Sequence, residues 1–366
     1  MPLYMDRHDG LDATAKSLAE AHQLDLKVQN KFGCKAHTYW YDEGKQIAFC
    51  LIEAPDKKAV EDMHRNSHGL VGNQIIEVQS DIVEHFLGRI SDPATVNHTE
   101  KFINETAFRT ILYIDCKRIL SNSKAGKNSE PGLSKILNEV IRPALNEFNG
   151  IEIKINNEGM LASFTSVTKS LQCALKIQKR ITEMNKNSKR SIITASIGLS
   201  TGYPVTNGDD FFGETVLLAK RLSEIANGQN IILSSEFRNE YDDKENTQTK
   251  EFVRVTNPTE EKFLNQLMEM TEKVWNDENF NVVDFSKKIG LSKAQLYRKM
   301  TSLTGYSPND FIKNYRLNKA LKLLENKHGN ISEIAFETGF STPAYFSKCF
   351  QKRFGILPSE YAYSVV

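Results

Sequence analysis

The sequence predicts a multidomain α+β protein: two successive units that mix strands with helices, then a third that is helical only. Three observations predict this. At 366 residues the chain is too long for one ordinary core. Strand-like and helix-like segments alternate up to about residue 240, and from about Phe263 onward only helical patterns remain. Residues 284–361 contain an internal repeat. The composition, 40% hydrophobic and 25% charged, excludes global disorder and collagen-like order.

Residues 1–90 are expected to form the first unit. "PLYMDR" is a strand, and "ATAKSLAEAHQLDLKVQNKFG" is an amphipathic helix that stops at Gly33. "AHTYWYDE" and "IAFCLIEA" are strands joined by a turn at Glu43–Gly44. "PDKKAVEDMHRNS" is a helix and "NQIIEV" a last strand. The order βαββαβ predicts a ferredoxin-like split βαβ arrangement. The polar stretch "SDPATVNHTEKFINETA" is expected to be a linker.

Residues 105–240 form the second unit. It runs as strand "FRTILYID", helix 132–148, hairpin "IEIKINNEGMLASF", helix "SVTKSLQCALKIQKRITEMN", strand "ITASIGLSTGYPV", helix "GETVLLAKRLSEIA" and strand "IILSS". The charged, Asn/Thr-rich "NEYDDKENTQTKEFVRVTNPTEEK" separates it from the third unit, residues 262–366.

In the third unit "DFSKKIGLS" matches "EIAFETGFS" at an offset of 49, and "SKAQLYRKMTSLTGYSPNDF" matches "TPAYFSKCFQKRFGILPSEY" at an offset of 50. One copy explains both. Asn330 caps a helix with Glu333 reaching back to it. Gly339 takes a positive φ and stops that helix. Thr342 caps the next one, with Pro343 in its first turn where a missing N–H costs nothing. Phe346, Phe350 and Phe354 recur every fourth residue as a buried face, while Tyr345, Lys348 and Lys352 lie off it. Each copy is two helices joined by a tight turn, a helix-turn-helix.

The net charge of +1 is unevenly spread. Residues 1–100 hold 10 basic against 16 acidic side chains, and residues 261–366 hold 15 against 11. A basic end on a balanced chain points to a polyanion partner. Five scattered cysteines without CxxC spacing suit reduced thiols in a cytoplasm. No apolar run is long enough for a membrane span, and the charged start lacks the apolar core of a signal peptide.

The doubled unit, its linking helix "PNDFIKNYRLNKALKLLEN" and the Gly-x-x-Pro-x-x-aromatic ending resemble the AraC-type DNA-binding domain. The resemblance implies two recognition helices entering successive major grooves of double-stranded DNA, roughly 34 Å apart. It makes Lys293, Gln295, Arg298 and Lys299 candidates on the first helix, and Thr342, Tyr345 and Lys348 on the second. Arg and Lys suit guanine edges and Gln suits adenine. Lys352, Arg353 and Lys313 are assigned to phosphates.

The segments "ILYID", "IKINNEGMLASF", "SIGLSTGYPV" and "DDFFGETVLLAKRLSEIANGQNIILSS" resemble the class III adenylate/guanylate cyclase catalytic domain. Such an enzyme needs two carboxylates to hold Mg²⁺ or Mn²⁺ with the nucleotide. Asp115 fills the first position. The second falls on Glu158, after Asn157, where the family has Asp after Gly. Lys154 and Asp210 match the base-reading pair, and Arg221 matches the arginine that steadies transition-state charge. Leu217 replaces the family's asparagine. Asn157, Glu158 and Leu217 weaken the catalytic reading and favour a degenerate domain that dimerises or binds nucleotide.

Six of the eight histidines lie in residues 1–85, and His64 and His68 share one helix face. The pattern "MDRHD…AHQLDLKVQNKFGCKAHTYWYDE…AFCLIEAPDKKAVEDMHRNSHGLV" resembles small ferredoxin-like proteins described as nickel-binding. Nickel or another transition metal on His8, His64, His68 and Cys50 is the corresponding expectation.

The favoured reading is a cytoplasmic, homodimeric transcription regulator that contacts RNA polymerase if it activates, with the first two units controlling the third. The alternative is a nucleotidyl cyclase carrying a DNA-binding tail. A metal-storage protein leaves the repeat unexplained.

Overall fold

The computed structural model describes residues 1–93, 103, 105–120, 133–156, 159–187, 191–206, 208–226, 230–241 and 252–364. Glu158 and Asn157 lie outside the described residues, as does most of the expected linker.

The first sheet takes strands β1 (Leu3–Asp9), β2 (Lys35–Asp42), β3 (Ile47–Glu53) and β4 (Gln74–Val78) in the order β2-β3-β1-β4, every neighbouring pair antiparallel. Helices α1 (Ala15–Val28) and α2 (Lys57–Ser67) make the expected βαββαβ order. Thr14 caps α1 in a reciprocal pair with Ser17, and Asp56 accepts from Ala59 N at 2.8 Å to open α2. Helix α1 runs into a 3₁₀ turn that ends on Gly33 at φ 64°. Tyr4, Tyr39, Cys50 and Ile52 meet Leu18, Val60 and Met63 on the helix-covered face.

The opposite face of this sheet is covered as well. Met5, Trp40, Phe49, Leu51 and Ile76 form one buried cluster with Ile111, Tyr113, Val205, Phe212 and Ala219 of the second unit. Helix α3 (Ser80–Leu87), absent from the sequence reading, joins that cluster through Val83, Phe86 and Leu87. The described remnants of the expected linker pack too: Tyr41 N donates to Glu105 O at 2.8 Å.

The second sheet comprises β5 (Arg109–Leu120), β6 (Ile151–Asn156), β7 (Gly159–Phe164), β8 (Ser191–Gly202), β9 (Ile231–Leu233) and β10 (Val253–Val255), ordered β10-β9-β8-β5-β7-β6. Its β8–β9 and β9–β10 pairs are parallel. The helix expected over 132–148 is instead α4 (Leu133–Ile136), a π-turn over Leu137–Ile141 and α5 (Arg142–Glu147). Pro143 explains the break, because its ring crowds the preceding turn and it has no N–H to donate. Helices α4, α5 and α6 (Val167–Asn187) cover one face of the sheet.

Helix α7 (Gly213–Ile225) lies on the other face, so close to β8 that a Cβ on Gly198 would sit 2.0 Å from Ala219 O. Helix α8 (Ser235–Glu240) follows β9 and runs to the start of the segment expected to be a separator, and β10 lies within that segment. β10 survives there because it adds to β9 in register, a long-range pairing that local composition does not reveal.

The remainder is helical: α9 (Pro258–Val274), α10 (Val282–Ile289), α11 (Lys293–Thr304), α12 (Pro308–Glu325), α13 (Ile331–Glu337), α14 (Pro343–Phe354) and α15 (Pro358–Ser364). Asn281, Ser292, Ser307, Asn330 and Thr342 cap their helices, and Gly290, Gly305 and Gly355 close theirs with φ of 76°, 76° and 78°. The helical region has two hydrophobic clusters. The first joins α9, α10, α11 and Phe311 and Ile312 of α12 to Leu222, Ile225 and Ala226 at the end of α7. The second begins at Leu317 and holds the rest of α12 with Ile334, Phe346, Phe350 and Phe354. No described helix is long and apolar enough to cross a membrane.

Candidate metal centre and nucleic-acid interface

Strand alternation puts Tyr4, Asp6 and His8 of β1 on the helix-covered face of the first sheet. Cross-strand pairing sets Cys50 directly opposite Asp6. Helix α2 brings His64 over the same spot and, one turn later, His68. Helix α1 supplies Asp25. Two donor groups result, Asp6–His8–Cys50–His64 and Asp25–His64–His68, each with ligand atoms within 4.8 Å of one another. Of the four predicted residues, His8, Cys50 and His64 share the first group, and His68 joins His64 in the second. Asp6 and Asp25 were missed, although the i, i+2 spacing of Asp6 and His8 in a strand was a readable signal.

His64 belongs to both groups. Its Nδ1 lies 3.2 Å from Asp25 Oδ1 and 3.0 Å from His68 Nε2. Its Nε2 lies 2.8 Å from Asp6 Oδ2 yet is buried without an aligned hydrogen bond. His8 Nε2 is 3.0 Å from the same oxygen. The other Asp6 oxygen accepts from Cys50 N at 3.0 Å, and Ser67 Oγ holds Asp25 Oδ1 at 2.5 Å. Beside the cluster is a cavity of about 10 Å³ lined by His8, His22, Asp25, Cys50 and His68.

Burial alone would raise the Asp6 carboxyl, but His8 and His64 outweigh it and hold Asp6 well below the usual carboxylate range. Asp25 is lowered likewise, burial being outweighed by His64 and His68. Burial opposes charge on His64 too, but Asp6 and Asp25 push its pKa up to about 10. Burial, with Asp6 and Asp25 nearby, drives the Cys50 thiol well above its ordinary range. The cluster is a buried acid-imidazole network in which two carboxylates face His64. Close, buried N, O and S donors fit a borderline transition-metal cation better than a hard one. The other histidines of the unit stand outside both donor groups: His37 pairs with Glu53 at 3.3 Å, and His22 lies 3.4 Å from Asp92.

In the second unit Asp115 pairs with Lys117 at 2.8 Å. Asp210 is exposed in the turn before α7, where Phe212 takes φ 54° while its ring stacks on Phe86 at 4.9 Å. Lys154 lies on β6. Arg221 is buried and turned to α9, donating to Asn265 Oδ1 at 2.8 Å and lying 3.5 Å from Glu269. Leu217 is exposed on the same helix.

In the helical region α11 and α14 turn Leu296, Met300, Phe346, Phe350 and Phe354 inward. Lys293, Arg298, Tyr345, Lys348 and Lys352 are exposed. Five predicted contacts also have partners within the protein. Gln295 Oε1 accepts from Ser292 N at 2.9 Å, completing the capping box, and Thr342 Oγ1 caps Tyr345 N at 3.2 Å. Lys299 stands over the Phe263 ring at 5.2 Å. Arg353 is half-buried against Phe354, and Lys313 pairs with Asp310 at 2.5 Å. Tyr297, 55% exposed beside Arg298, is an aromatic that the sequence reading passed over.

Residues 285–363 match the helix-turn-helix domain family, and residues 4–78 match the nickel responsive protein SCO4226-like family. Similar curated proteins include histidine kinase P4 of Formosa agariphila, 41% identical over 102 residues, covering 28% of this chain and 7% of that protein. Another is the Msm operon regulatory protein of Streptococcus mutans, 30% identical, covering 30% of this chain and 39% of that one. The chain thus spans well under half the length of these relatives. Among solved structures, an adenylate/guanylate cyclase/hydrolase from Silicibacter pomeroyi is 27% identical with a TM-score of 0.32, covering 38% of this chain and 81% of that one.

Proposed function

We propose that this chain, which carries an AraC-type helix-turn-helix domain at residues 285–363 and a nickel-responsive-type domain at residues 4–78, is a metal-governed DNA-binding regulator of transcription. One observation carries the reading. Two capped helix-turn-helix copies each bury an apolar stripe and turn basic and aromatic side chains to solvent, Lys293, Tyr297 and Arg298 on α11 and Tyr345, Lys348 and Lys352 on α14. Base edges and phosphates are what such side chains recognise.

His8, His64, His68 and Cys50, with Asp6 and Asp25, would hold the governing cation. A bound cation would supply the positive charge that the protonated His64 provides without it, and would release the Cys50 proton. The second unit acts as a non-catalytic connector in this reading, since Asp115 and Arg221 are engaged by Lys117 and by α9. The reading also includes the division at residues 1–90, 105–240 and 262–366, a homodimer on paired sites, RNA polymerase as partner where the protein activates, and action in the cytoplasm.

The test is selection from a random pool of double-stranded DNA by the full chain, with and without added nickel. The expected result is one enriched bipartite sequence whose half-sites lie about 34 Å apart, bound less tightly as salt rises. Nickel should change that affinity, and His64→Ala should abolish the change. A pool that enriches no sequence refutes the regulator. Enrichment indifferent to nickel and to His64→Ala refutes metal control.

A further inference from the structure

We infer that Arg316 is a positioning residue that locks the two helix-turn-helix units into one rigid reader and so fixes the half-site spacing the protein accepts; this deepens the DNA-binding reading above. Arg316 stands at the seam between the two hydrophobic clusters of the helical region. Phe311 and Ile312, just before it on α12, belong to the first cluster, and Leu317, just after it, belongs to the second. The apolar cores on either side are separate clusters strung on α12, and the side-chain tie that Arg316 makes between them is polar.

The guanidinium makes that tie. Arg316 Nε donates to Trp275 O at 2.5 Å, Nη2 to Asp277 O at 2.6 Å and Nη1 to Gly339 O at 2.7 Å. Two acceptors lie in the chain that leads from α9 into the first unit. The third lies in the tight turn of the second unit. The turn comes close: a Cβ on Gly339, which has φ 75°, would lie 2.9 Å from the Asn276 backbone and 3.1 Å from Arg316 Cζ. A planar fork with five donors can satisfy three carbonyls in different directions at once, and an ammonium point charge cannot hold the same geometry.

Two recognition helices fixed to one frame must find their grooves at one separation. Each inserted base pair displaces the second half-site by about 3.4 Å and rotates it by roughly a tenth of a turn. The experiment uses the full chain and the bipartite site that the wild type selects. Affinities are measured for that site, for spacers shortened or lengthened by one and two base pairs, and for a single half-site. The wild type should lose at least tenfold for a one-base-pair change. R316K and R316A should bind the single half-site as the wild type does, lose affinity for the selected site, and show a spacing profile flattened to within about threefold. G339A, which opens the seam from the other side without removing Arg316, should flatten it too and serves where an Arg316 variant does not fold. A spacing profile as steep as the wild type's in a folded variant, or an equal loss on the single half-site and the full site, overturns the inference. Failure of the wild type to select any site overturns the DNA-binding reading instead, and the inference falls with it.

Discussion

Replacing Arg221 with alanine separates a connector from a catalyst. Arg221 is only 6% exposed at its side chain and donates to Asn265 Oδ1 at 2.8 Å, a hydrogen bond from a charged donor that contributes about 1.5–3 kcal/mol. Its second partner, Glu269, is 61% exposed, so that ion pair adds only about 0–1 kcal/mol after screening. Losing both destabilises the α7–α9 contact by on the order of 2–3 kcal/mol. At roughly 2–4 °C per kcal/mol for a domain of this size, the transition that melts these helices should fall by about 5–10 °C. The assays are thermal unfolding of the full chain, hydrogen exchange over α7 and α9, and incubation with ATP or GTP and Mg²⁺ or Mn²⁺. We expect faster exchange in both helices and no cyclic nucleotide from either protein. Wild-type turnover that Arg221→Ala abolishes at unchanged stability would refute the connector argument.

Three further outcomes are expected. Lys348→Ala should leave the unfolding midpoint unchanged and weaken the selected site roughly 5- to 100-fold, the effect of about 1–3 kcal/mol for a base contact, as measured by fluorescence anisotropy. Phe350→Ala removes a fully buried ring that lies 4.6 Å from Phe354 and 5.7 Å from Phe346, and should cost about 3–5 kcal/mol and unfold the second helix-turn-helix copy, as urea titration would report. Metal-free protein should show opposite pH effects on the stability of the first unit, measured as urea midpoints. Asp6 and Asp25 are depressed below their ordinary 3.8, so their stabilisation is present above that pH and lost below it. His64 is raised from 6.5 to about 10, so its contribution is full below 6.5 and lost as pH climbs through 10.

Local signals were legible in the sequence where the physics is local. The paired caps and glycines of residues 281–355 specify two helix-turn-helix copies without reference to anything distant. The i, i+4 pair His64 and His68 likewise announced one helix face. What was missed depends on partners far along the chain. Helix α3 is short and finds its place against distant partners: Phe86 stacks on Phe212, and Arg109 donates to the Phe86 and Leu87 carbonyls. Strand β10 exists by pairing with β9. Asp25 becomes a donor only when α1 crosses α2, and exposed Lys299 finds a ring on α9. Gln295 Oε1 and Thr342 Oγ1, expected at bases on residue type, also serve their own helix N-termini.

The two-sided cover of the first sheet has a practical consequence for anyone dissecting this chain. The stretch that matches a family ends at residue 78, yet the sheet's second face is closed by α3 and by side chains from beyond residue 107. Scissors placed after residue 78 would strip the lid from Met5, Trp40, Phe49, Leu51 and Ile76 and leave a contiguous greasy plate in water. Such a fragment should clump or pair through that plate, and its metal titration would then report on the aggregate. Met5 neighbours Asp6 on β1 and Leu51 neighbours Cys50 on β3, so disturbing the plate disturbs the donors behind it. The front of this protein is better studied in place than as a severed part.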